Sequence, residues 1–466
     1  MPPLPPQPIS PLDGRYRAAV SELGEFLSEA GLNRARVHVE IDWLLYLTDH
    51  SMFGSSPLDP ELARRLRSVV QDFGQDEIDR IGTLEATTRH DVKAVEYFVR
   101  EKLAELGLNQ IAELTHFGCT SEDINNLSYA LTIRQAVTEV WLPKFSGVIE
   151  KLRGLAVELR DDAMLALTHG QPATPTTMGK ELAVTVHRLE RIKKQIEGTE
   201  YLGKFSGATG TFAADLVADP EADWQAISRG FVNSLGLEWN PLTTQIESHD
   251  WQAELYSRIS HANRVLHNLC TDVWTYISMG YFTQIPVAGA TGSSTMPHKI
   301  NPIRFENAEA NLELSSALLD SLASTLVTSR LQRDLTDSTT QRNIGVALGH
   351  SLLALDNITG GLGAISLNRE ALARDLDANW EVLGEAIQTV VRAEVTAGRS
   401  SIADPYALLK ELTRGHRIGQ ADLVAFVEGL DIGTDAKARL VALTPGVYTG
   451  LASQLVDHIL PTPAAG

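Results

Sequence analysis

Long stripes of apolar residues at steps of three or four positions constrain this 466-residue chain more than any other feature. That spacing is the repeat of an α-helix with one buried face. One stripe runs from Leu255 to Ile277, and another spans 127–159 with Pro143 inside it, which predicts a kink or an interruption there. Alternating patterns typical of strands are few and short. The sequence therefore predicts a bundle of very long helices over about 120–365.

Smaller helical regions flank this bundle on both sides. We predict an all-α subunit with three domains: an N-terminal helical domain over 1–112, the central long-helix bundle over 113–365 and a C-terminal helical domain over 366–466. Broad apolar faces on long helices are hard to cover within a single chain. Association of subunits through those faces would cover them, so the pattern predicts a symmetric homo-oligomer.

Charge and composition restrict the partners. The chain has 59 acidic and 40 basic residues, a net charge of −19, which argues against a nucleic-acid binder that uses broad phosphate contacts. The overall charge still allows a local basic pocket for an anionic metabolite. No window approaches the ~20 uninterrupted apolar residues of a membrane span. The two cysteines form no CxxC motif and the histidines show no metal-ligand spacing, so we expect no metal site and a cytoplasmic protein.

Irregular, polar segments between the helices are where functional residues are expected. The segment 289–302 combines glycines, hydroxyl groups and Lys299 directly before a helix. Its backbone N–H groups can form a nest for an anion, and a surface linker is the alternative interpretation. The segment 167–175 holds His169 in a non-helical bend. An imidazole with an ordinary pKa of ~6.5 suits proton transfer there, whereas a capping or hydrogen-bonding histidine is the alternative.

A third segment, 115–126, contains Thr120-Ser121-Glu122-Asp123. These residues predict a capping box that opens a helix, or a ligand role for Thr120 and Ser121, and the two interpretations are compatible. Cys119 is predicted to be a small buried residue and not a nucleophile, because no basic partner stands beside it.

A fourth segment, 329–342, concentrates arginines in an acidic chain. Arg330, Arg333 and Arg342 suggest recognition of phosphate or carboxylate, with a solvated helix face as the alternative. Arg15 and Arg89, nearer the N-terminus, are further candidate anion ligands.

Three of these blocks resemble the signature motifs of the fumarase/aspartase superfamily, in the expected order: Thr120-Ser121, Thr168-His-Gly-Gln171 and Gly292-Ser-Ser-Thr-Met-Pro-His-Lys-Ile-Asn-Pro302. Further markers narrow the resemblance to one member of the superfamily, which acts in purine nucleotide synthesis. They are Ser10-Pro-Leu-Asp-Gly-Arg-Tyr16, Thr88-Arg-His-Asp-Val-Lys93, Thr168-His-Gly-Gln-Pro-Ala-Thr-Pro175, Thr244-Gln-Ile-Glu247 and Arg333-Asp-Leu-Thr-Asp-Ser338. The resemblance covers about Ile9 to Val456.

The resemblance implies an all-helical, three-domain subunit that assembles as a homotetramer and needs no cofactor. It also implies elimination of fumarate from adenylosuccinate to leave AMP, and the same reaction on the succinylaminoimidazole carboxamide ribotide. Loops from three subunits would complete each active site. The alternative is another fumarate-releasing lyase of the superfamily, such as argininosuccinate lyase.

Residue by residue, the resemblance implies that Ser293 is the general base and His169 the general acid. Lys299 and the loop N–H groups could stabilise the serine alkoxide. The residues implied to contact substrate are Arg15, Tyr16, Arg89, His90, Asp91, Thr120, Ser121, Gln245, Lys299, Asn301, Arg333, Ser338 and Arg342.

Overall fold

The computed structural model describes residues 7–286, 296, 299–407 and 418–460. The proposed base Ser293 lies outside these described residues. Helices dominate the described part of the chain, which confirms the predicted all-α class. Within the same residues, none of the helices combines the length and the apolar character needed to cross a membrane.

Nineteen α-helices can be bounded within the described residues. They are α1 Arg17–Leu27, α2 Glu29–Asp49, α3 Pro60–Gln71, α4 Gln75–Thr88, α5 Asp91–Glu105, α6 Ser121–Gln135, α7 Leu142–Glu158, α8 Met178–Glu197, α9 Ala213–Ala218, α10 Trp224–Ser234, α11 Asp250–Ser278, α12 Ile303–Leu326, α13 Thr336–Gln341, α14 Ile344–Leu362, α15 Arg369–Asp377, α16 Gly384–Thr396, α17 Gln420–Glu428, α18 Thr434–Val441 and α19 Ala452–Leu455. Short 3₁₀ segments lie at Met52–Gly54, Asn109–Leu114, Trp380–Leu383 and Val456–Ile459.

The described strands form three two-stranded sheets. They pair β1 Ala163–Thr168 with β2 Gln171–Thr177, β3 Leu202–Gly203 with β4 Glu238–Trp239, and β5 Phe282–Gln284 with β6 Ile365–Leu367. The pair β3–β4 is parallel and the other two pairs are antiparallel.

The predicted bend at His169 is the turn of the β1–β2 hairpin. The residue pattern predicts the bend but neither strand, because Pro172 and Pro175 lie in β2 and proline is unusual inside a strand. His169 and Gly170 form the two-residue turn with φ of 54° and 72°. Turns with positive φ at both positions match the twist of an antiparallel hairpin.

The long helices follow the apolar stripes, with two adjustments. The predicted interruption at Pro143 is confirmed: a π-helical turn, Ala136–Trp141, separates α6 from α7, and Pro143 is the second residue of α7. Proline lacks the N–H of a regular helical turn, and the widened turn absorbs the mismatch. The stripe through Leu255 predicts a helix over 251–283, and α11 ends earlier, at Ser278. Gly280, with φ of 77°, ends it, and the following residues form β5.

The chain divides into two compact units, each assembled from three stretches of sequence. Unit 1 comprises 1–145, 192–266 and 310–356, and unit 2 comprises 146–191, 267–309 and 357–466. In unit 1, α2 is buried along most of its length and packs against α1, α3, α5 and α6. In unit 2, an apolar cluster that includes Trp380, Leu383 and Val427 joins α16 to α17 and α18. The three-domain division at 112 and 365 stays a prediction.

A chain of buried polar contacts connects the long helices inside unit 1. Trp141 Nε1 donates to Ser351 Oγ at 2.8 Å, and Ser351 Oγ donates to Asn263 Oδ1 at 2.8 Å. Asn263 Nδ2 donates to Ser315 Oγ at 3.0 Å, which in turn donates to the carbonyl of Ala347 at 2.7 Å. A buried polar network of this kind is satisfied in only one helix register, so it specifies how the helices align.

We expect Asn263→Leu to lower the free energy of unfolding by about 1–3 kcal/mol, because Ser351 loses its acceptor and Ser315 loses its donor in a buried environment. Urea unfolding of the variant and the unmodified chain, at equal concentration, measures the difference. His261→Ala is the matched control on the exposed side of α11. Equal midpoints for Asn263→Leu and the control would contradict the structural role of the network.

Candidate active site

The amino end of α6 carries the predicted Thr-Ser pair. Thr120 is the residue before the helix, and its N–H donates to Asp123 Oδ2 at 2.8 Å, which confirms the predicted capping arrangement. Thr120 and Ser121 are both half-buried. The positive end of the helix dipole favours a negatively charged group at this position.

Asp123 fixes the surroundings of that helix end. Its Oδ1 accepts from the N–H groups of Ser206 at 2.8 Å and Gly207 at 3.3 Å, and lies 2.7 Å from Lys204 Nζ. The two charged side chains are 1% and 0% exposed. Lys204 Nζ also donates to the carbonyl of Gly207 at 2.6 Å. A buried ion pair offsets its desolvation only with such additional hydrogen bonds, and here both partners have them.

A second buried cation, Arg36, orients Asp91. Arg36 is 2% exposed and donates to Asn125 Oδ1 of α6 at 2.9 Å and to Asp91 Oδ2 at 2.8 Å. Arg342 Nη2 donates to the same Asp91 oxygen at 3.4 Å. Burial acts to raise the pKa of Asp91, but the two arginines and the N–H of Val92 outweigh it and hold the pKa below its ordinary value. Two predicted substrate contacts, Asp91 and Arg342, are therefore in direct contact.

Arg333 and Ser338 form the next part of the cluster. Arg333 Nη2 donates to Glu122 Oε1 at 2.8 Å and to Ser338 Oγ at 3.1 Å. Glu122 belongs to the first turn of α6 and is 3% exposed. Burial raises the pKa of Glu122, although the Arg333 charge acts against that shift. The predicted alternative, a solvated helix face, is wrong for Arg333, which is half-buried and ion-paired.

The five remaining predicted contacts of unit 1 lie at three places: before α1, at the junction of α4 and α5, and in the loop before α11. Arg15 and Tyr16 directly precede α1, and their neighbours Asp13 and Arg17 line a groove of about 640 Å³ that Arg342 also lines. Arg89 ends α4 with φ of 56° and is exposed.

His90 and Gln245 complete this set. His90 precedes α5 and its Nδ1 accepts from the N–H of Lys93 at 3.3 Å. Gln245 is half-buried in the loop before α11. In that loop Thr243 Oγ1 lies 3.3 Å from Ser206 Oγ, next to the Asp123 cluster.

Three of the predicted residues that the structure describes belong to unit 2. His169 is exposed at the β1–β2 turn. Lys299 is exposed, and its N–H donates to the carbonyl of Met296 at 3.0 Å. Asn301 is half-buried just before α12. With Ser293 outside the described residues, the geometry of the proposed base stays a prediction.

Several residues that hold the cluster together were missed by the sequence analysis. They are Arg36, Lys204 and the pair Glu40 and His116, in which Glu40 Oε1 lies 2.6 Å from His116 Nδ1. Burial acts to lower the pKa of His116, but the Glu40 carboxylate outweighs it and raises the pKa. One signal in the sequence could have revealed them: Arg36 and Glu40 are charged residues at positions of α2 where the helical repeat expects apolar ones. Cys119 is half-buried and not fully buried as predicted, and burial, together with the charges of Asp123, Glu40 and Asp215, raises its thiol pKa well above the ordinary value, which agrees with the prediction that it is not a nucleophile.

We expect Lys204→Met to lower the free energy of unfolding by about 3–5 kcal/mol, because it leaves the buried Asp123 carboxylate without its counter-charge. Chemical unfolding monitored by circular dichroism measures the loss. Lys193→Met is the control: it removes the same charge from an exposed pair with Glu197 and should change stability by less than about 1 kcal/mol. Equal effects of the two changes would contradict the role assigned to Lys204.

Family models match most of the chain. The model described as "Lyase" matches residues 14–313, and the model described as "Adenylosuccinate lyase C-terminal" matches residues 329–449.

Relatives and solved structures agree with these matches. The chain is 48% identical over 453 residues to the adenylosuccinate lyase of Escherichia coli K12, covering 97% of this chain and 98% of that protein. It is 46% identical over 454 residues to the adenylosuccinate lyase of Vibrio cholerae, with the same coverage.

The fold is similar to the 3-carboxy-cis,cis-muconate lactonizing enzyme of Pseudomonas putida, with a TM-score of 0.74 at 18% identity over 95% of this chain and 97% of that one. A fumarate lyase from Mesorhizobium sp. BNC1 gives a TM-score of 0.73 at 18% identity, over 94% and 97%. At these identities the similarity shows the fold alone. The sequence matches over nearly the whole length show more: the chain belongs to the adenylosuccinate lyase family of the fumarase/aspartase superfamily.

Proposed function

We propose that this enzyme eliminates fumarate from adenylosuccinate, leaving AMP, and carries out the same elimination on the succinylaminoimidazole carboxamide ribotide. The observation that carries the proposal is the cluster at the amino end of α6. There Asp91 and Arg342 are in contact, and Arg333 donates to Ser338 and to the first turn of the helix. Both substrates carry a phosphate and two succinyl carboxylates, which need this concentration of anion donors.

Breaking the carbon–nitrogen bond requires removal of a weakly acidic proton beside a carboxylate, so negative charge accumulates on that carboxylate. We assign Ser293 as the general base. Serine is a weak base unless its alkoxide is stabilised, and the positive charge of Lys299 supports that role. His169 is assigned as the general acid that protonates the departing nitrogen. Its exposure at a hairpin turn leaves the imidazole accessible to a substrate.

Each proposed substrate contact carries a hydrogen-bond donor or acceptor. These residues lie near the α6 cluster or in the loops that carry the signature motifs. They are Arg15, Tyr16, Arg89, His90, Asp91, Thr120, Ser121, Gln245, Lys299, Asn301, Arg333, Ser338 and Arg342. The reaction is acid–base chemistry, so the proposed mechanism uses no cofactor. The scarcity of cysteine supports a cytoplasmic location.

We also propose a homotetramer with active sites shared between subunits. Large apolar side chains are exposed on three of the long helices: Val184 on α8, Trp274 on α11, and Ile303 and Leu314 on α12. Apolar groups repeated along helices of this length favour association with further copies of the chain.

Fumarate release by the purified chain tests the proposed reaction. Adenylosuccinate and argininosuccinate are supplied separately at equal concentrations, and fumarate is measured by its ultraviolet absorbance. We expect release from adenylosuccinate with kcat/KM of at least about 10⁴ M⁻¹ s⁻¹, within the range of ordinary enzymes, and none from argininosuccinate. Release from argininosuccinate alone would establish the alternative lyase.

We expect Ser293→Ala to reduce kcat for adenylosuccinate by about 10²–10⁴-fold and to change KM by less than about threefold, because a general base acts only in the chemical step. Steady-state kinetics measure both constants. Ser294→Ala, at the adjacent serine, is the matched control and should reduce kcat by less than about tenfold. If Ser294→Ala caused the larger loss, the base would be misassigned.

Subunit mixing tests the shared site. His169→Ala and Ser293→Ala proteins, each inactive alone, should regain activity after their subunits exchange. With random mixing in equal amounts, roughly a quarter of sites draw an intact histidine from one chain and an intact serine from another. The control mixes His169→Ala with the double variant, in which no site has an intact serine paired with an intact histidine. With exchange verified by labelled subunits, activity no higher than in the control would place both residues on one chain.

A further inference from the structure

A buried histidine with no assigned role lies against the proposed substrate-binding cluster. His249 is 1% exposed, directly precedes α11 and has φ of 61°. Its N–H donates to Glu247 Oε2 at 2.8 Å, and Glu247 Oε1 accepts from Asn240 at 2.9 Å. A non-glycine residue held in the left-handed region inside the protein is strained, so the surroundings must favour this orientation of the side chain.

The imidazole lies against one face of the short helix α13. Nε2 lies 3.5 Å from Asp337 Oδ2, and Nδ1 lies 3.5 Å from Gln341 Nε2. Asp337 and Gln341 are four residues apart, so both side chains are on the same side of that helix. His249 is thus the connection between the Gln245 loop and α13.

The hydrogen-bond network determines which ring nitrogen carries the proton. Gln252 Oε1 accepts from Tyr256 Oη at 3.1 Å and from Gln341 Nε2 at 3.4 Å, which orients the Gln252 amide. The Gln252 Nε2 group is therefore the one that faces His249 Nδ1, at 3.3 Å. Amide N–H groups only donate, so Nδ1 accepts and the proton of a neutral ring resides on Nε2, which faces Asp337.

Asp337 also contacts two residues of the proposed substrate-binding cluster. Its Oδ1 accepts from the N–H of Ser338 at 2.7 Å and lies 3.9 Å from Arg333 Nη2. Asp337 Oδ2 and His249 Nε2 are both buried. Within the described part of the chain, neither atom makes a close, well-aligned hydrogen bond. The two atoms face each other, and a movement of less than about 1 Å would bring them to hydrogen-bond distance.

We infer that His249 is a positioning residue, which holds the Asp337 carboxylate and through it orients Arg333 and Ser338 for the succinylated nucleotide. The inference rests on the proposed substrate contacts of Arg333 and Ser338. It deepens the proposed function by adding one residue outside the signature motifs that acts on affinity and not on proton transfer.

The test compares His249→Asn, Asp337→Asn and the double variant. Asparagine tolerates the left-handed backbone but is too short to reach Asp337, and Asp337→Asn keeps the shape while removing the charge. Each single variant should raise KM for adenylosuccinate and weaken AMP binding by about tenfold or more, while kcat falls less than about threefold. Because the two residues act in series, the double variant should bind no more weakly than the more impaired of the two single variants.

His350→Asn is the matched control, since His350 is another buried histidine of unit 1, with Nδ1 2.8 Å from Asn311 Oδ1. It should change the melting temperature without changing KM. KM and the AMP dissociation constant within twofold of the unmodified chain in both single variants, or additive effects in the double variant, would overturn the inference.

Arg333→Lys separates this outcome from a failure of the proposed function. If Arg333→Lys weakens AMP binding while the His249 and Asp337 variants do not, the substrate contact is supported and the positioning role is wrong. If Arg333→Lys leaves AMP binding and KM unchanged, the proposed contact itself is wrong, and the inference falls with it.

Discussion

The buried Asp123 carboxylate requires a counter-charge and hydrogen-bond donors around it. The position of the amino end of α6 depends on these partners of the carboxylate. Lys204 Nζ, two N–H groups of the loop at Ser206 and Gly207, and the N–H of Thr120 all point at its two oxygens. These contacts join a helix end to a loop about eighty residues later in the chain. Without them the Thr-Ser pair would have no fixed position, because an isolated helix end frays.

The same principle applies to the arginines that we propose as anion contacts in a chain with a net charge of −19. Arg36, Arg333 and Arg342 each pair with a carboxylate of Asp91 or Glu122. Pairing reduces the cost of burying a guanidinium and fixes its orientation. A ligand that meets such preoriented donors loses less side-chain freedom on binding, which is the general source of affinity in preorganised sites.

Helix positions and caps could be predicted from the sequence with local information alone. The Leu255 stripe is α11, Pro143 marks a break, and Thr120 caps α6. The β1–β2 hairpin could not be predicted, because its strand pairing outweighs the usual effect of prolines. The alignment of the helices was equally inaccessible, since the contact between Trp141 and Ser351 joins residues 210 positions apart.

The sequence by itself determined the helical class, the family and the motifs that carry the candidate chemistry, because these depend on short-range periodicity and on residue identity at fixed spacing. Only the tertiary structure decided which charges compensate one another. Nothing in the local sequence of Arg36 indicates Asp91, and nothing around His249 indicates Asp337. Such pairs form when packing removes water from both groups, so a buried charge takes whichever partner the fold brings within a few ångströms.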